Sequence, residues 1–375
     1  MGALIQFEPE GAVQGGALAP ATPLAGVACC QEIPDYHGDL EPSSEPQLHQ
    51  GQILDGRFII REVVARSGQA TVYQAVDMLN GRREVAIKVP LRKMECDVAA
   101  FSRFKHEEEI GLRLAHPGLL KFFAVTEGRS RPYLVTEYLH GCTLGHLAHH
   151  RRPIAEADAL KIVALVADAV GHMHGRGIIH CDLKPTNLMI CCDRTLRVLD
   201  FGLSAAPMRT RSVLARLGNI FGAPEYMAPE QVENGPIDER TDIYALGCVL
   251  YELLTGSVPF AHENQWQSAF QRTSGDPVAP RKLNPALSPQ AEEIVLHALQ
   301  RNPGDRYASM AAFQAELKAP DQVVVLGRCE RLQPPRFKLS LHGTPMVAGL
   351  LMGFGTLLLL VAVFLFLTSL PQHHR

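Results

Sequence analysis

No two cysteines of this chain stand at the C-x-x-C spacing of a structural zinc site, although nine are present. They are scattered and odd in number, which argues against a disulfide framework and leaves reduced thiols as the expectation. Neither charge sign is in excess. With 36 basic and 39 acidic residues the formal net charge is −3, so the balance calls for no nucleic-acid partner. The N-terminus lacks the basic start of a secretory signal and carries Glu8 and Glu10 instead. No internal repeat is visible.

Charge is missing altogether from one long run. Met346 to Leu370 are 25 residues without a single Asp, Glu, Lys or Arg. At about 1.5 Å rise per residue, a helix of this length crosses the roughly 30 Å hydrocarbon core of a bilayer with some tilt. A transmembrane helix over 346–370 is therefore expected, with 371–375 as a short outer tail. Arg328, Arg331, Arg336 and Lys338 precede the run and Arg375 alone follows it, which keeps the N-terminal side cytoplasmic. Gly349 and Gly353 sit four apart inside the run, a spacing that lets two such helices approach as a homodimer.

Residues 1–50, rich in Gly, Ala, Pro and Glu with no sustained apolar period, read as a disordered arm. Order is expected from Arg57. Short β-type runs follow at Phe58–Val64, Thr71–Val76 and Glu84–Val89, with Asn80-Gly81 as a tight hairpin turn between the last two. A helix is predicted from Val98 to Ala115, then two more strands, Leu120–Glu127 and Pro132–Glu137. After Tyr138 the pattern becomes helical: Ala155–His174, Arg240–Leu254, Pro289–Gln300 and Met310–Leu317, interrupted by a small hairpin at Met189–Cys192 and Leu196–Leu199. A small β-rich lobe (57–138) joined to a larger helical lobe (139–317) is the expected architecture, with 318–345 as a juxtamembrane linker.

Four local patterns recur in a meaningful order. Val85-Ala86-Ile87-Lys88 ends a predicted strand. His180-Cys181-Asp182-Leu183-Lys184-Pro185-Thr186-Asn187 lies between a helix and the hairpin. Asp200-Phe201-Gly202 closes that hairpin, and Ala228-Pro229-Glu230 follows about thirty residues later. With these motifs, residues 57–317 resemble the eukaryotic-type protein kinase family, in particular its membrane-attached bacterial Ser/Thr members.

The resemblance implies an α+β, two-lobed fold with ATP in the cleft and protein Ser/Thr hydroxyls as acceptors. It implies that Lys88 meets the α- and β-phosphates, held by a carboxylate on the neighbouring helix. Glu107 is preferred for that carboxylate, from its spacing to His116-Pro117. Glu108 stays open, since both have apolar neighbours on one helix face. Asp182 would accept the proton of the substrate hydroxyl and Lys184 would stabilise the transferring phosphoryl group. Asn187 and Asp200 would hold Mg²⁺, with Mn²⁺ as an alternative. Ala86 and Met189 would sandwich adenine, under Val64 and Val72. Thr136 would be a small gatekeeper, and backbone groups of Glu137 and Leu139 would bond the adenine edge. Glu230 with Arg306 would form a buried ion pair, and Asp242 would brace the catalytic loop.

Several positions depart from the family's pattern. The phosphate-covering loop carries Ala65, Ser67 and Ala70 at its three usual glycines, with Gly68 retained. Cys181 stands where most members have the Arg that pairs with a phosphorylated activation loop, for which Thr210 and Ser212 are candidate acceptors. Ala223 replaces a Thr that commonly bonds the catalytic Asp and Lys. Two function classes therefore stay open: an active kinase, and a pseudokinase or weakly active scaffold. Retention of Lys88, Glu107, Asp182, Lys184, Asn187 and Asp200 favours the first.

Overall fold

The computed structural model describes residues 48–126, 128–150, 153–204, 224–262 and 265–335. Thr210, Ser212, Ala223 and the 346–370 segment with Gly349 and Gly353 lie outside them. Among the described residues no helix is long and apolar enough to cross a membrane.

The small lobe is an antiparallel five-stranded sheet in the order β1 (Ile53–Leu54), β2 (Phe58–Arg66), β3 (Ala70–Asp77), β4 (Arg83–Pro90) and β5 (Leu134–Glu137). Strand alternation sorts its two faces. Tyr73, Ala75, Val85, Ile87 and Val135 are buried in the lobe's own core. Val72, Ala86 and Lys88 alternate with them and are half-buried. The β3–β4 turn closes through Arg83 N–H to Asn80 O, with Gly81 and Arg82 both at positive φ, 68° and 55°. That double left-handed turn matches the right-handed strand twist. Asp97 caps the helix α1 (Val98–Arg113) by accepting from the Ala99 and Ala100 N–H groups at 2.9 and 3.0 Å.

The fifth strand is not the expected one. Leu120–Glu127 does not form a strand over its described part, because that segment is shared between two sheets. Leu120 N–H bonds Val198 O at 3.0 Å, whereas Phe123 N–H bonds Val135 O at 2.8 Å. The sheet is completed instead by β1, whose two residues lie ahead of the expected start of order. Leu48 is already buried there, and its N–H donates to Tyr73 Oη at 3.3 Å.

The large lobe is built on α2 (Leu144–His150), α3 (Glu156–His174), α4 (Glu239–Thr255), α5 (Gln265–Ser274), α6 (Pro289–Ala298) and α7 (Met310–Lys318). Every residue of α4 from Thr241 to Leu254 is buried, as befits a helix running through the centre of a core. A second sheet joins β6 (Gly141–Thr143), β7 (Leu188–Cys191) and β8 (Leu196–Val198). The segment expected as a linker is packed on this lobe as far as it is described. Val323 belongs to the core, the Arg328 guanidinium meets buried Glu293 at 2.5 Å, and Gln333 exchanges bonds with Asp276 at 2.7 and 2.9 Å. Six described cysteines carry free thiols.

Candidate active site

A cavity of about 780 Å³ lies between the lobes. Its lining includes Ser67, Gly68, Ala70, Lys88, Glu107, Asp182, Lys184, Asn187 and Asp200. Lys88 points into it from β4, where it is the direct register partner of Val72 on β3. Its Nζ donates to both carboxylate oxygens of Glu107 at 2.8 Å and lies 3.8 Å from Asp200 Oδ2. Burial alone would lower the Lys88 ammonium, but the carboxylates of Asp200 and Glu107 outweigh it and raise it above its usual range. Glu108, the alternative to Glu107, turns away and pairs with Arg129 at 2.5 Å.

The loop after α3 carries the second group. Asp182 Oδ2 accepts from Lys184 Nζ at 2.7 Å and from Asn187 Nδ2 at 3.0 Å. Burial pushes the Asp182 carboxyl up, with Lys184 opposing. Two deeper residues hold this loop. Asp242, fully buried on α4, accepts from His180 N–H at 2.8 Å, Cys181 N–H at 2.9 Å and the His174 ring at 2.8 Å. His180 in turn accepts the Asp182 N–H on Nδ1 at 3.3 Å, so its Nε2 carries the proton donated to Leu199 O at 3.2 Å. Cys181 is held at φ 66° and Asp200 at φ 59°, left-handed conformations that non-glycine residues adopt only when their surroundings impose them. Burial would raise the Asp200 carboxyl, but Lys88 holds it below its ordinary value.

Removing the Lys184 ammonium takes away the main charge that opposes burial at Asp182. If Asp182 must be ionised to accept a proton, activity falls as pH drops through its pKa. Lys184→Met is therefore expected to move the acid limb of the kcat/KM profile to higher pH. A limb left in place would show that Lys184 does not set this ionisation.

Ser67 does more than replace a glycine. Its Oγ accepts from the Gln69 and Ala70 N–H groups at 3.2 and 3.1 Å and lies 3.1 Å from Ala70 O. The hydroxyl thus ties the β2–β3 turn and engages two backbone donors of the kind that otherwise bind phosphate. If the cleft takes ATP, as the resemblance implies, Ser67→Gly is expected to free them and lower KM for ATP about fivefold, one net hydrogen bond's worth. A KM that rises instead would mean the tie orders the loop for nucleotide.

Ala65 of the phosphate-covering loop and the adenine-side residues do not line this cavity. Ala65 pairs with Val72, and Val64 precedes it on β2. Ala86 pairs with Thr136, which is buried, and Val85 with Glu137. Met189 pairs with Thr143 and Arg197, and Leu139 lies in the connection from β5 to β6. Glu137 is clamped, its Oε1 accepting from Arg197 Nε at 3.2 Å and Lys121 N–H at 3.0 Å. Glu230 and Arg306 form a two-pronged pair at 2.8 Å, with Thr241 Oγ1 also on Glu230.

Chemically, the cleft offers one ammonium held by a carboxylate, a second ammonium beside another carboxylate, and hard oxygen donors on Asn187 and Asp200. Asn187 uses its amide nitrogen on Asp182, which leaves its oxygen as a ligand. Among the described residues no cluster of three or more His, Cys, Asp or Glu would hold a metal by itself. A magnesium ion shared with phosphate oxygens needs only one or two protein ligands, so this donor set fits one.

Residues 60–317 match the protein kinase domain family. The chain is 35% identical over 290 residues to serine/threonine-protein kinase PknB of Mycolicibacterium smegmatis, a match covering 75% of this chain and 46% of that protein. It is 33% identical over 288 residues to serine/threonine-protein kinase PknB of Mycobacterium tuberculosis, covering 74% and 46%. With probable serine/threonine-protein kinase SCO3848 of Streptomyces coelicolor it shares 33% over 276 residues, covering 72% and 41%. The chain thus spans less than half the length of these curated relatives.

Proposed function

Because the chain belongs to the protein kinase domain family, we propose that it transfers the γ-phosphate of ATP to serine and threonine hydroxyls of proteins. The observation that carries this reading is the convergence of Lys88 with Glu107, Asp200, and the Asp182–Lys184–Asn187 group on one cavity. Phosphoryl transfer asks a protein mainly for positioning and for neutralisation of phosphate charge, and these groups suit both tasks.

In this reading Lys88, fixed by Glu107, orients the α- and β-phosphates. Asp182 presents the carboxylate oxygen not occupied by Lys184 and Asn187 to the acceptor hydroxyl and takes its proton. Lys184, 2.7 Å from that carboxylate, balances charge on the moving phosphoryl group. Asn187 and Asp200 would hold Mg²⁺, or Mn²⁺ in its place, which supplies further neutralisation of the phosphates when bound. Ala65, Ser67, Gly68 and Ala70 cover the phosphates. Val64, Val72, Ala86, Thr136, Met189 and the backbone of Glu137 and Leu139 take the adenine end. The uncharged 346–370 run supports anchoring of the domain on the cytoplasmic side of a membrane, and Gly349 with Gly353 supports a helix pair there.

The test is transfer of label from γ-labelled ATP to a mixed protein substrate, with and without chelation of Mg²⁺, followed by phosphoamino-acid analysis. Label on serine or threonine that disappears with the metal is the expected result. A chain that binds ATP and transfers nothing would return the scaffold reading.

A further inference from the structure

The helix that carries Glu107 is lightly packed. Of the sixteen residues of α1 only Ala100, Glu107, Ile110 and Gly111 are buried, while Val98 and Leu112 are exposed. So narrow a buried face holds a helix on its neighbours but resists rolling about the helix axis only weakly. Rolling matters here, because Glu107 must keep both carboxylate oxygens on Lys88 Nζ. One contact at one point of the circumference cannot fix that angle. A second contact, well round the helix, can.

The second contact is made by the next residue, since successive side chains of an α-helix stand about 100° apart. Glu108 meets Arg129 two-pronged, Nη2 donating to Oε1 at 2.5 Å and Nη1 to Oε2 at 3.2 Å. Such a fork is the geometry in which a guanidinium holds a carboxylate most firmly. Nη1 also donates to Tyr133 O at 2.8 Å, and the guanidinium carbon lies 5.2 Å from the centre of the Tyr133 ring. The loop that carries Arg129 is held in turn. Ser130 N–H lies 3.3 Å from both carboxylate oxygens of Asp55, and the hydroxyl of fully buried Tyr133 donates to the same carboxylate at 2.8 Å. Asp55 stands in the turn between β1 and β2, at φ 50°. A tied path thus runs from that turn through Tyr133 and Arg129 to α1, and none of these residues lines the cleft. The residue before Glu107, His106, donates across to Ser204 O of the large lobe at 2.9 Å. Glu107 therefore sits between two ties, and Arg129 supplies the one belonging to its own lobe.

We propose that Arg129 is a positioning residue for phosphoryl transfer: its grip on Glu108 sets the roll of α1 and thereby keeps Glu107 on Lys88. The inference rests on the kinase reading above and assigns a side chain outside the cleft that maintains the ammonium–carboxylate pair inside it. A merely structural arginine, on removal, would lower the rate by the same factor whatever stands at position 107. A residue acting through Glu107 loses its effect once Glu107 no longer holds Lys88.

The experiment uses the full chain and transfer of label from γ-labelled ATP to a degenerate peptide library with one central serine. Arg129→Ala is expected to lower kcat about tenfold and to leave KM for peptide within about twofold, a smaller loss than the roughly 10²-fold of a 1 Å misplacement. Glu108→Gln should do the same, and it carries the comparison where Arg129→Ala does not fold. Arg129→Lys, which keeps the charge and loses the fork, should fall between. In a Glu107→Gln chain, already slowed, Arg129→Ala should change kcat by less than about twofold. A loss that recurs there in full, or a kcat for Arg129→Ala within about twofold of wild type, overturns the proposal. A wild-type chain that transfers no label overturns the kinase reading, and the proposal with it.

Discussion

Asp182→Ala is expected to lower peptide phosphorylation about 10³-fold, mid-range for losing a positioned general base, while ATP affinity stays within about twofold of wild type. The separation follows from what touches what. Asp182 bonds Lys184 and Asn187 and nothing of the small lobe, whereas Lys88 answers to Glu107 and Asp200. Removing the carboxylate leaves the Lys88 pair intact. Asn187 also keeps one partner, because its amide still donates to the main-chain oxygen of residue 182 at 2.9 Å. Asp182→Asn sharpens the reading, since it preserves shape and can no longer accept a proton. If Asn is as inactive as Ala, the lost function is the base; if Asn retains most of the rate, Asp182 mainly orients. Single-turnover transfer with saturating ATP measures both, and an Ala variant within tenfold of wild type would remove Asp182 from the chemistry.

What could be read from the chain beforehand depended on whether a residue's partner leaves a trace in sequence. Lys88 and Asp200 sit at the ends of apolar runs in motifs whose order is informative, so their convergence was legible. Glu107 and Glu108 could not be separated by periodicity, because both have apolar neighbours three or four residues on. Arg129, from a loop with no pattern of its own, is what takes Glu108. Ser67 was visible only as a missing glycine. Its hydroxyl bonds backbone N–H groups, which carry no residue identity and so leave no signature. The strand assigned to Leu120–Glu127 failed for a related reason: apolar content does not show that the segment's hydrogen bonds are divided between Val198 and β5. The two residues of β1 were too few to register as a strand.

Gly111→Ala is expected to reduce phosphoryl transfer about 10²-fold and to destabilise the fold, although the same change on an exposed helix face stabilises by roughly 1 kcal/mol. Gly111 lies one turn beyond Glu107 on the same face of α1. A Cβ there would stand 2.5 Å from Cγ of Phe122, with Cδ2 and Cε2 of that ring equally close. The ring has little room to retreat, since its centroid is 5.7 Å from that of Phe201, itself fully buried and 6.0 Å from the His180 ring. Overpacking of this kind costs about 1–3 kcal/mol and is relieved by moving whichever element is least held. The column Phe122–Phe201–His180 is anchored to the catalytic loop through His180 and Asp242, so α1 is the element that gives. A shift of about 1 Å would break the two 2.8 Å contacts from Lys88 to Glu107, and misplacement on that scale lowers rates about 10²-fold. Phe122→Leu in the same chain should restore much of the loss, because the coupling between the two sites is a single steric contact. Rates and melting temperatures of the four proteins in that cycle decide the matter. A Gly111→Ala chain at least as stable and active as wild type would mean that Phe122 yields and α1 does not.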